Sequence, residues 1–219
     1  MEAEGVLGRM ARKFRLGNSL EVVLILGLDN TLSVVSVGFR LASFSEPREY
    51  YGLTGLLSCA MQYIPGEKGF QRLTEPIRRV QGNCLTYYWI PNFTESSIEF
   101  SGVFSTSCLE EYLRRLRLAI DVLDYPSELI EDCLTNYTKE YEGSRSLDTF
   151  QRREILTSIL DTEPRRFFLK TGDYDISSIV TVVRDFKAKI INSSIMNLMV
   201  ESSLPFDHLR DLVTSYFLG

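Results

Sequence analysis

Histidine is nearly missing from this sequence. The 219 residues contain one histidine, His208, close to the C-terminal end. A catalytic zinc ion in a peptidase is held by three protein ligands, and histidines usually supply two of them. One copy of this chain therefore cannot assemble a two-histidine zinc site.

Cysteine is sparse and widely spread. The chain has four cysteines, and no two of them form a Cys-x-x-Cys motif: Cys59, Cys84, Cys108 and Cys133. This spacing favours neither a zinc ribbon nor a redox dithiol. We expect all four to be buried thiols.

An excess of one charge and a long hydrophobic run are also lacking. The formal net charge is −5, and acidic and basic residues are interspersed, whereas a nucleic-acid-binding protein needs a basic face. The N-terminal stretch MEAEGVLGRMARKFRLG has no apolar signal core, and no run elsewhere is long enough to cross a bilayer. We predict a cytoplasmic protein without nucleic-acid or membrane partners.

The chain does have enough apolar material for one core. Hydrophobic residues make up 44% of the sequence, which suits a single domain over residues 1–219. Residues 1–17 are candidates for a flexible N-terminal extension.

Strand patterns dominate the first part of the chain. Residues 19–26 and 31–43 are rich in β-branched side chains and flank the turn signal GLDN, so they predict a β-hairpin. Apolar spacing then predicts a buried helix over residues 51–63 and an amphipathic helix over residues 70–80. NCLTYYWI and SSIEFSGVF, on either side of PNFTE, predict a second strand pair.

Helical spacing dominates the second part. Four helices and one strand are predicted from SCLEEYLRRLRLAIDVLDY, PSELIEDCLTNYTKEYEGS, SLDTFQRREILTSIL, DISSIVTVVRDFKAKI and SSIMNLMVES, and PFDHLRDLVTSYF predicts a closing helix. The order of elements predicts an α+β domain, with one mixed, largely antiparallel sheet and helices packed on a face.

Several segments match, in order, the motifs of a known family. LGNSLEVVLILG is similar to its opening strand, and VSVGFRLASFSEPREYYGLTGLL to its strand, acidic-proline turn and helix start. FSGVFSTSCLEEYLRRLRLAI and DHLRDLVTSYF match later elements. The chain thus resembles the insulinase (pitrilysin) family of inverted-motif zinc metallopeptidases, and in particular the N-terminal domain of the insulin-degrading type. The resemblance implies a metallopeptidase-half fold.

The resemblance also locates the family's zinc motif, His-x-x-Glu-His. Laying GLTGLLSC on the family's GLxHxxEH places Gly55 at the first histidine, Ser58 at the general base and Cys59 at the second histidine. The third ligand, a glutamate on a later helix, corresponds to Glu140, and a shift of two positions would place Thr138 there instead. The resemblance therefore implies a degenerate motif and no bound cofactor.

A peptide-binding strand edge is the other family feature with a counterpart here. The family's GxxNAxT segment corresponds to QGNCLTYY, so Asn83, Cys84 and Thr86 are candidate remnants of this edge. Capture of a peptide by strand addition needs unpaired backbone groups and pockets, and no metal. The alternative is that these residues only pair within the domain's own sheet.

These features favour a catalytically inactive insulinase-like domain that acts as a binding, scaffold or regulatory subunit. Its expected partners are another protein chain, a second copy, further similar domains of a longer chain, or a peptide. The alternative is an active zinc metalloendopeptidase domain whose ligands are misaligned or are supplied by a partner chain, and only this alternative requires zinc. A nucleophilic role for Cys59 is less favoured, because no histidine base lies within sequence reach.

Overall fold

The computed structural model of this chain is an α+β domain. It describes residues 2–4, 10–29, 31–40, 46–50, 52–75, 77–79, 82–84, 86–93, 97–144 and 174–218. At positions 2–4, 48, 77–79, 82–84, 86–93 and 140–144 the description covers the backbone alone.

The described residues form eleven strands. They are β1 Glu2–Glu4, β2 Met10–Arg15, β3 Glu21–Leu26, β4 Leu32–Arg40, β5 Tyr63–Gly66, β6 Gly69–Arg72, β7 Ile77–Arg79, β8 Gly82–Cys84, β9 Thr86–Phe93, β10 Ser97–Ser105 and β11 Met196–Ser202. Seven strands form one sheet in the order β1-β2-β3-β11-β4-β10-β9, and β5–β6 and β7–β8 are separate pairs. Only β11 and β3 run parallel in the large sheet, so the predicted mixed, largely antiparallel sheet is confirmed.

Five α-helices accompany the sheet in the described part of the chain. They are α1 Leu53–Ala60, α2 Leu109–Asp121, α3 Ser127–Ser144, α4 Ile176–Ile190 and α5 Phe206–Phe217. Each lies within or beside a segment that the apolar spacing predicted as helical. No helix among these residues is long and apolar enough to cross a membrane.

The core lies between the helices and one face of the sheet. Alternate residues of the central strands are buried there, as the period of two requires: Val22, Leu24, Val35, Val37, Phe39, Phe100, Phe104, Leu198 and Val200. The amphipathic stripe of α2 meets them, with Tyr112 stacked on Phe104 at 3.9 Å between ring centroids. The intervening strand residues on the other face, such as Val23 and Met199, are only half-buried.

The predicted hairpin over residues 19–26 and 31–43 is wrong in its pairing. Both strands exist as β3 and β4, but β11 lies between them, parallel to β3 and antiparallel to β4. Two strand spacings amount to about 10 Å, which the connection over residues 27–31 spans. A strand pattern with a turn signal does not reveal that a distant strand will be inserted.

The predicted helix over residues 70–80 is also wrong, because the segment forms β6, a turn and β7. Gly69 has a φ of +110°, a left-handed conformation that favours glycine. It lets the chain reverse after Lys68, so that Phe70 pairs with Pro65 in β5. Leu73 then packs with Ile64 and Ala119 in a small separate cluster.

Two further expectations need correction, and one lies outside the description. Within residues 1–17, Met10–Arg15 is a strand of the sheet, with Phe14 opposite Val22 and packed on the core, so this part is not an extension. Cys108 is disulfide-bonded rather than a thiol, whereas Cys59 and Cys133 are thiols as expected. The helix predicted from SLDTFQRREILTSIL, residues 146–160, lies outside the described residues.

Candidate functional site

The candidate site is built on α1, which begins at a defined cap. Gly52 adopts a φ of 98°, and the Glu46 carboxylate accepts hydrogen bonds from the backbone N–H groups of Gly52 and Thr54 at 3.1 and 2.6 Å. An acidic group at a helix N-terminus satisfies otherwise unpaired N–H groups and complements the helix dipole. The acidic-proline turn at Glu46 therefore fixes where α1 starts.

Almost every residue of α1 is buried, and the helix packs on α3 and beside β9. Leu53, Leu56 and Leu57 have no exposed surface and belong to the main core. The motif positions Gly55, Ser58 and Cys59 lie on the same short helix. Gly55 and Ser58 are buried among their neighbours, whereas Cys59 is half-buried.

Gly55 directly contacts Tyr137 of α3. A Cβ placed on Gly55 would lie 2.5 Å from the Tyr137 hydroxyl oxygen and would also overlap the ring carbons Cζ and Cε2. No side chain fits at position 55 without moving this ring, since the interior is close-packed. The Tyr137 ring therefore occupies the volume in which a ligand at position 55 would begin.

Ser58, which the sequence resemblance aligns with the general base, is buried and makes a hydrogen bond within its own helix. Its hydroxyl donates a hydrogen bond to the Gly55 carbonyl oxygen at 2.8 Å. A serine hydroxyl is not ionised near neutral pH and is not a base there. The Ser58 hydroxyl therefore supplies no general base for activating a water molecule.

Cys59 meets a second cysteine across the helix contact. Its Sγ lies 2.7 Å from the Sγ of Cys133 on α3, and Cys133 is buried while Cys59 is half-buried. The hydrogen bond with Cys59, together with burial, raises the pKa of the Cys133 thiol. The pair is therefore held as neutral thiols in close contact.

These two contacts define the direction of α3 relative to α1. Gly55 faces Tyr137 and Cys59 faces Cys133, so the helices run antiparallel where they touch. Position 140 follows Tyr137 by about one turn and lies away from Cys133, toward the start of α1. Thr138 is half-buried, and its hydroxyl donates to the Leu134 carbonyl oxygen at 2.8 Å.

The donor set at these positions does not fit a catalytic zinc ion. Such an ion needs three protein donors with an open fourth position, whereas Gly55 offers none and the Ser58 hydroxyl and Cys59 thiol are engaged as described. The side chain of Glu140 is outside the description. Among the residues whose side chains are described, no three metal-binding groups lie together.

The structure assigns the candidate peptide-binding residues to two different elements. Asn83 and Cys84 belong to β8, which pairs with β7 in its own small ladder. Thr86 opens β9, where it lies opposite Phe104 of β10. Of the three predicted remnants, Thr86 alone is part of the large sheet.

The strand β9 forms an edge of the large sheet. It pairs with β10 on one side, and within the described residues no strand pairs with its other side. Pro91 lies in the middle of β9, and proline within a sheet is confined to edges because it lacks an N–H donor. This edge lies beside α1, so the helix that carries Gly55, Ser58 and Cys59 and an edge strand of the sheet are neighbours.

Sequence reasoning did not identify Tyr137 and Cys133 as residues of this site. Their spacing of four along α3 is typical of one helix face, and this was the only signal in the sequence. Periodicity indicates that the two residues share a face, but it does not tell which element that face will contact.

Comparison with solved structures shows an insulinase-like half-domain fold. The chain is similar to pitrilysin, with a TM-score of 0.78 and 17% identity over 99% of this chain and 24% of that chain. It is also similar to a mutant of the ferredoxin protease FusC, solved in complex with Arabidopsis ferredoxin, with a TM-score of 0.72 and 14% identity over 96% of this chain and 24% of that chain.

These comparisons establish the fold alone. No protein-family model matches the sequence, and no curated protein matches it. The chain spans about a quarter of the length of the two solved proteins, 24% in each case. The fold expected from the resemblance is therefore confirmed, whereas activity has to be argued from the site.

Proposed function

We propose that this insulinase-like domain does not hydrolyse peptides and acts by binding, as a scaffold, partner or regulatory domain. The observation that carries the proposal is the position of the Tyr137 ring, which fills the space that a side chain at position 55 would need. By resemblance, position 55 is that of the family's first zinc-binding histidine. Glycine supplies no donor there, and a neighbouring ring takes the space of one.

The remaining motif positions support the same proposal. The hydroxyl of Ser58 donates inward to its own helix, and the thiol of Cys59 contacts another thiol. Neither arrangement supplies a general base for water or an open metal position. The chemistry of the motif has therefore been replaced by packing between α1 and α3.

A restoration experiment tests whether Tyr137 is the obstacle. The variant Gly55→His, Ser58→Glu, Cys59→His rebuilds the motif but retains the ring, and we expect no tight zinc binding from it. Adding Tyr137→Ala should free the space and give measurable zinc affinity by calorimetry if Glu140 is the third ligand. Adding Tyr137→Glu instead should give the tighter site if the third ligand belongs opposite Gly55.

Comparing zinc binding with and without the Tyr137 ring shows whether this ring prevents metal binding at position 55. Tight zinc binding by the three-change variant with Tyr137 intact would contradict the argument from the ring. Circular dichroism of all three variants is the control, because a misfolded variant gives no information about the metal.

We propose that the binding surface is the open edge of β9. An extended chain can add to a sheet edge through main-chain hydrogen bonds, and β9 is such an edge beside α1, the helix that carries Gly55, Ser58 and Cys59. Pro91 has no N–H group, so its backbone nitrogen is expected to face away from β10. In an antiparallel ladder successive residues point their N–H groups to opposite sides, so the N–H groups of residues 89 and 93 face outward as well. One similar structure, the FusC mutant, is a protease in complex with a protein.

The position of the chain's single tryptophan allows a direct binding assay. Trp89 lies in β9, so its emission reports on occupation of this edge. We expect reduced and carboxymethylated ribonuclease A, a permanently unfolded chain that contains no tryptophan, to change the emission in a saturable way. The native, folded form of the same probe should leave the emission unchanged.

A variant of the same strand is the matched control. Phe93→Pro removes an outward N–H while sparing the ladder to β10, and it should weaken binding without lowering the thermal midpoint of unfolding. Cleavage of the bound chain, seen by mass spectrometry, would contradict the inactive domain. Unchanged emission at every concentration would instead contradict the choice of β9.

A further inference from the structure

Two thiols meet at the centre of the contact between α1 and α3. Cys59 and Cys133 are separated by 74 residues in sequence, and their sulfur atoms lie 2.7 Å apart. This distance is inside the sum of two sulfur van der Waals radii. We propose that Cys59 and Cys133 are an oxidation site, which a small-molecule disulfide converts to a reversible disulfide bond joining α1 to α3.

The separation of the sulfur atoms favours a covalent bond over a shared metal ion. A disulfide requires about 2.05 Å between sulfurs, so the pair needs to approach by only a fraction of an ångström. A zinc ion needs about 2.3 Å to each sulfur, and two such bonds in tetrahedral geometry would force the sulfurs well apart. α1 and α3 already hold the two sulfur atoms closer to the separation of a disulfide than to that of two zinc ligands.

The unequal burial of the two thiols orders the reaction. Cys59 is half-buried and Cys133 is buried, so an external disulfide meets Cys59 first. The Cys59 thiolate attacks one sulfur of the reagent, breaks its S–S bond and releases one thiol. Cys133 then gives its proton to solvent and attacks the Cys59 sulfur, which expels the second thiol.

The electrons balance in this sequence. Two protein thiols are oxidised to one disulfide, and one reagent disulfide is reduced to two thiols. The raised pKa of the Cys133 thiol makes the second step the slower one, because the thiolate is the nucleophile. Reduced glutathione in excess should reverse both steps.

Formation of the bond would fix the region around the motif. Cys59 and Gly55 are one turn apart on α1, as are Cys133 and Tyr137 on α3, so the bond lies next to the packing of Gly55 on Tyr137. It would hold the two helices together beside the edge of β9. This consequence does not depend on the proposed binding function, since it concerns only the helix contact.

Glutathione disulfide is the probe for the test. The native protein is incubated with mixtures of oxidised and reduced glutathione, alkylated, digested and mapped by mass spectrometry. We expect a peptide pair linked through Cys59 and Cys133, distinct from the bond at Cys108, and its loss after reduction. Stable glutathionylation of Cys59 without the linked pair would overturn the proposal, as would two unreacted thiols after Cys108 is fully oxidised.

Thermal unfolding supplies an independent readout. Closing a loop of this length should raise the midpoint by roughly 5 to 15 °C, and Cys59→Ser or Cys133→Ala should each abolish the rise. The chain with both thiols should also fail to bind Cd²⁺ tightly. Stoichiometric cadmium binding that protects both thiols from glutathione disulfide would assign the pair to a metal and overturn the proposal.

Discussion

Tyr137 and Gly55 form a contact in which the smallest side chain is required. In an exposed helix, replacing glycine with alanine stabilises the helix by about 1 kcal/mol. Here the added methyl group would overlap the tyrosine ring. We therefore expect Gly55→Ala to destabilise the protein by roughly 1 to 3 kcal/mol, which is typical of overpacking in a core.

Urea unfolding of a double-mutant cycle measures this contact. Tyr137→Ala alone leaves a cavity, but it also removes the atoms that the alanine methyl group meets, so the two changes should not be additive. The cost of Gly55→Ala should largely disappear when Tyr137→Ala is present. A stabilising Gly55→Ala in the native background would show that the ring does not fill this space.

The candidate site could be predicted from the sequence only in part. The identities of Gly55, Ser58 and Cys59 follow directly from the printed residues once the motif helix is recognised. Their partners do not, because Tyr137 and Cys133 approach α1 through a tertiary contact between distant segments. Local spacing defines a helix face and carries no information about its neighbour.

At the scale of elements, α1 depends on burial. Leu56 has no exposed surface and packs in the main core. Leu56→Asp would place an unpaired charge there, and we expect a loss of several kcal/mol in the free energy of unfolding. Leu56→Ala, the matched control, should cost about 2 to 5 kcal/mol, less than the aspartate; a near-native Leu56→Asp protein would refute the position of α1.

A buried lysine joins α4 to the end of α2. The Lys187 ammonium group donates hydrogen bonds to the carbonyl oxygens of Ala119 and Val122 and to the Tyr125 hydroxyl. Burial outweighs the nearby Asp121 carboxylate and lowers the pKa of Lys187 to about 7. This group is therefore expected to lose its proton in the folded protein well before it does so in the unfolded chain.

The lowered pKa of Lys187 predicts how stability changes with pH. Between about pH 7 and about pH 10 the unfolded chain binds one more proton than the folded protein, so the free energy of unfolding rises with pH. The slope should approach about 1.4 kcal/mol per pH unit. Urea unfolding of the native protein and of Lys187→Met should diverge over this range; parallel pH profiles would contradict the assignment.

Elements differ in how well local sequence predicted them. The apolar stripe of α2 is buried as expected, because the spacing of apolar residues within this helix of 13 residues is enough to define its buried face. The pairing of β3 was missed because β11, about 170 residues later, supplies its partner. Residues 70–80 were misassigned because short apolar spacing is ambiguous, and the turn at Gly69 decides in favour of strands.

At the scale of the whole molecule, the outer face of the sheet is the surface most suited to association. Its apolar residues are half-buried, including Val23, Ile25, Val34 and Met199. We expect the chain to self-associate or to bind a partner chain over more than about 1,000 Å² in total.

Sedimentation velocity across a wide concentration range tests this association. Ile25→Lys and Met199→Lys should shift the chain toward a monomer, since each puts a charge on this face. Leu123→Lys is the control, because Leu123 is exposed and follows the end of α2 rather than belonging to a strand of the sheet. A native chain that is monomeric at every concentration and binds no similar domain would contradict the expectation.

The zinc content of the purified protein tests the central claim most directly. After dialysis against buffered zinc, elemental analysis should find far less than one zinc ion per chain, because Gly55, Ser58 and Cys59 do not provide the donors of a catalytic site. One tightly held zinc ion per chain, removed by a chelator together with peptidase activity, would contradict the account.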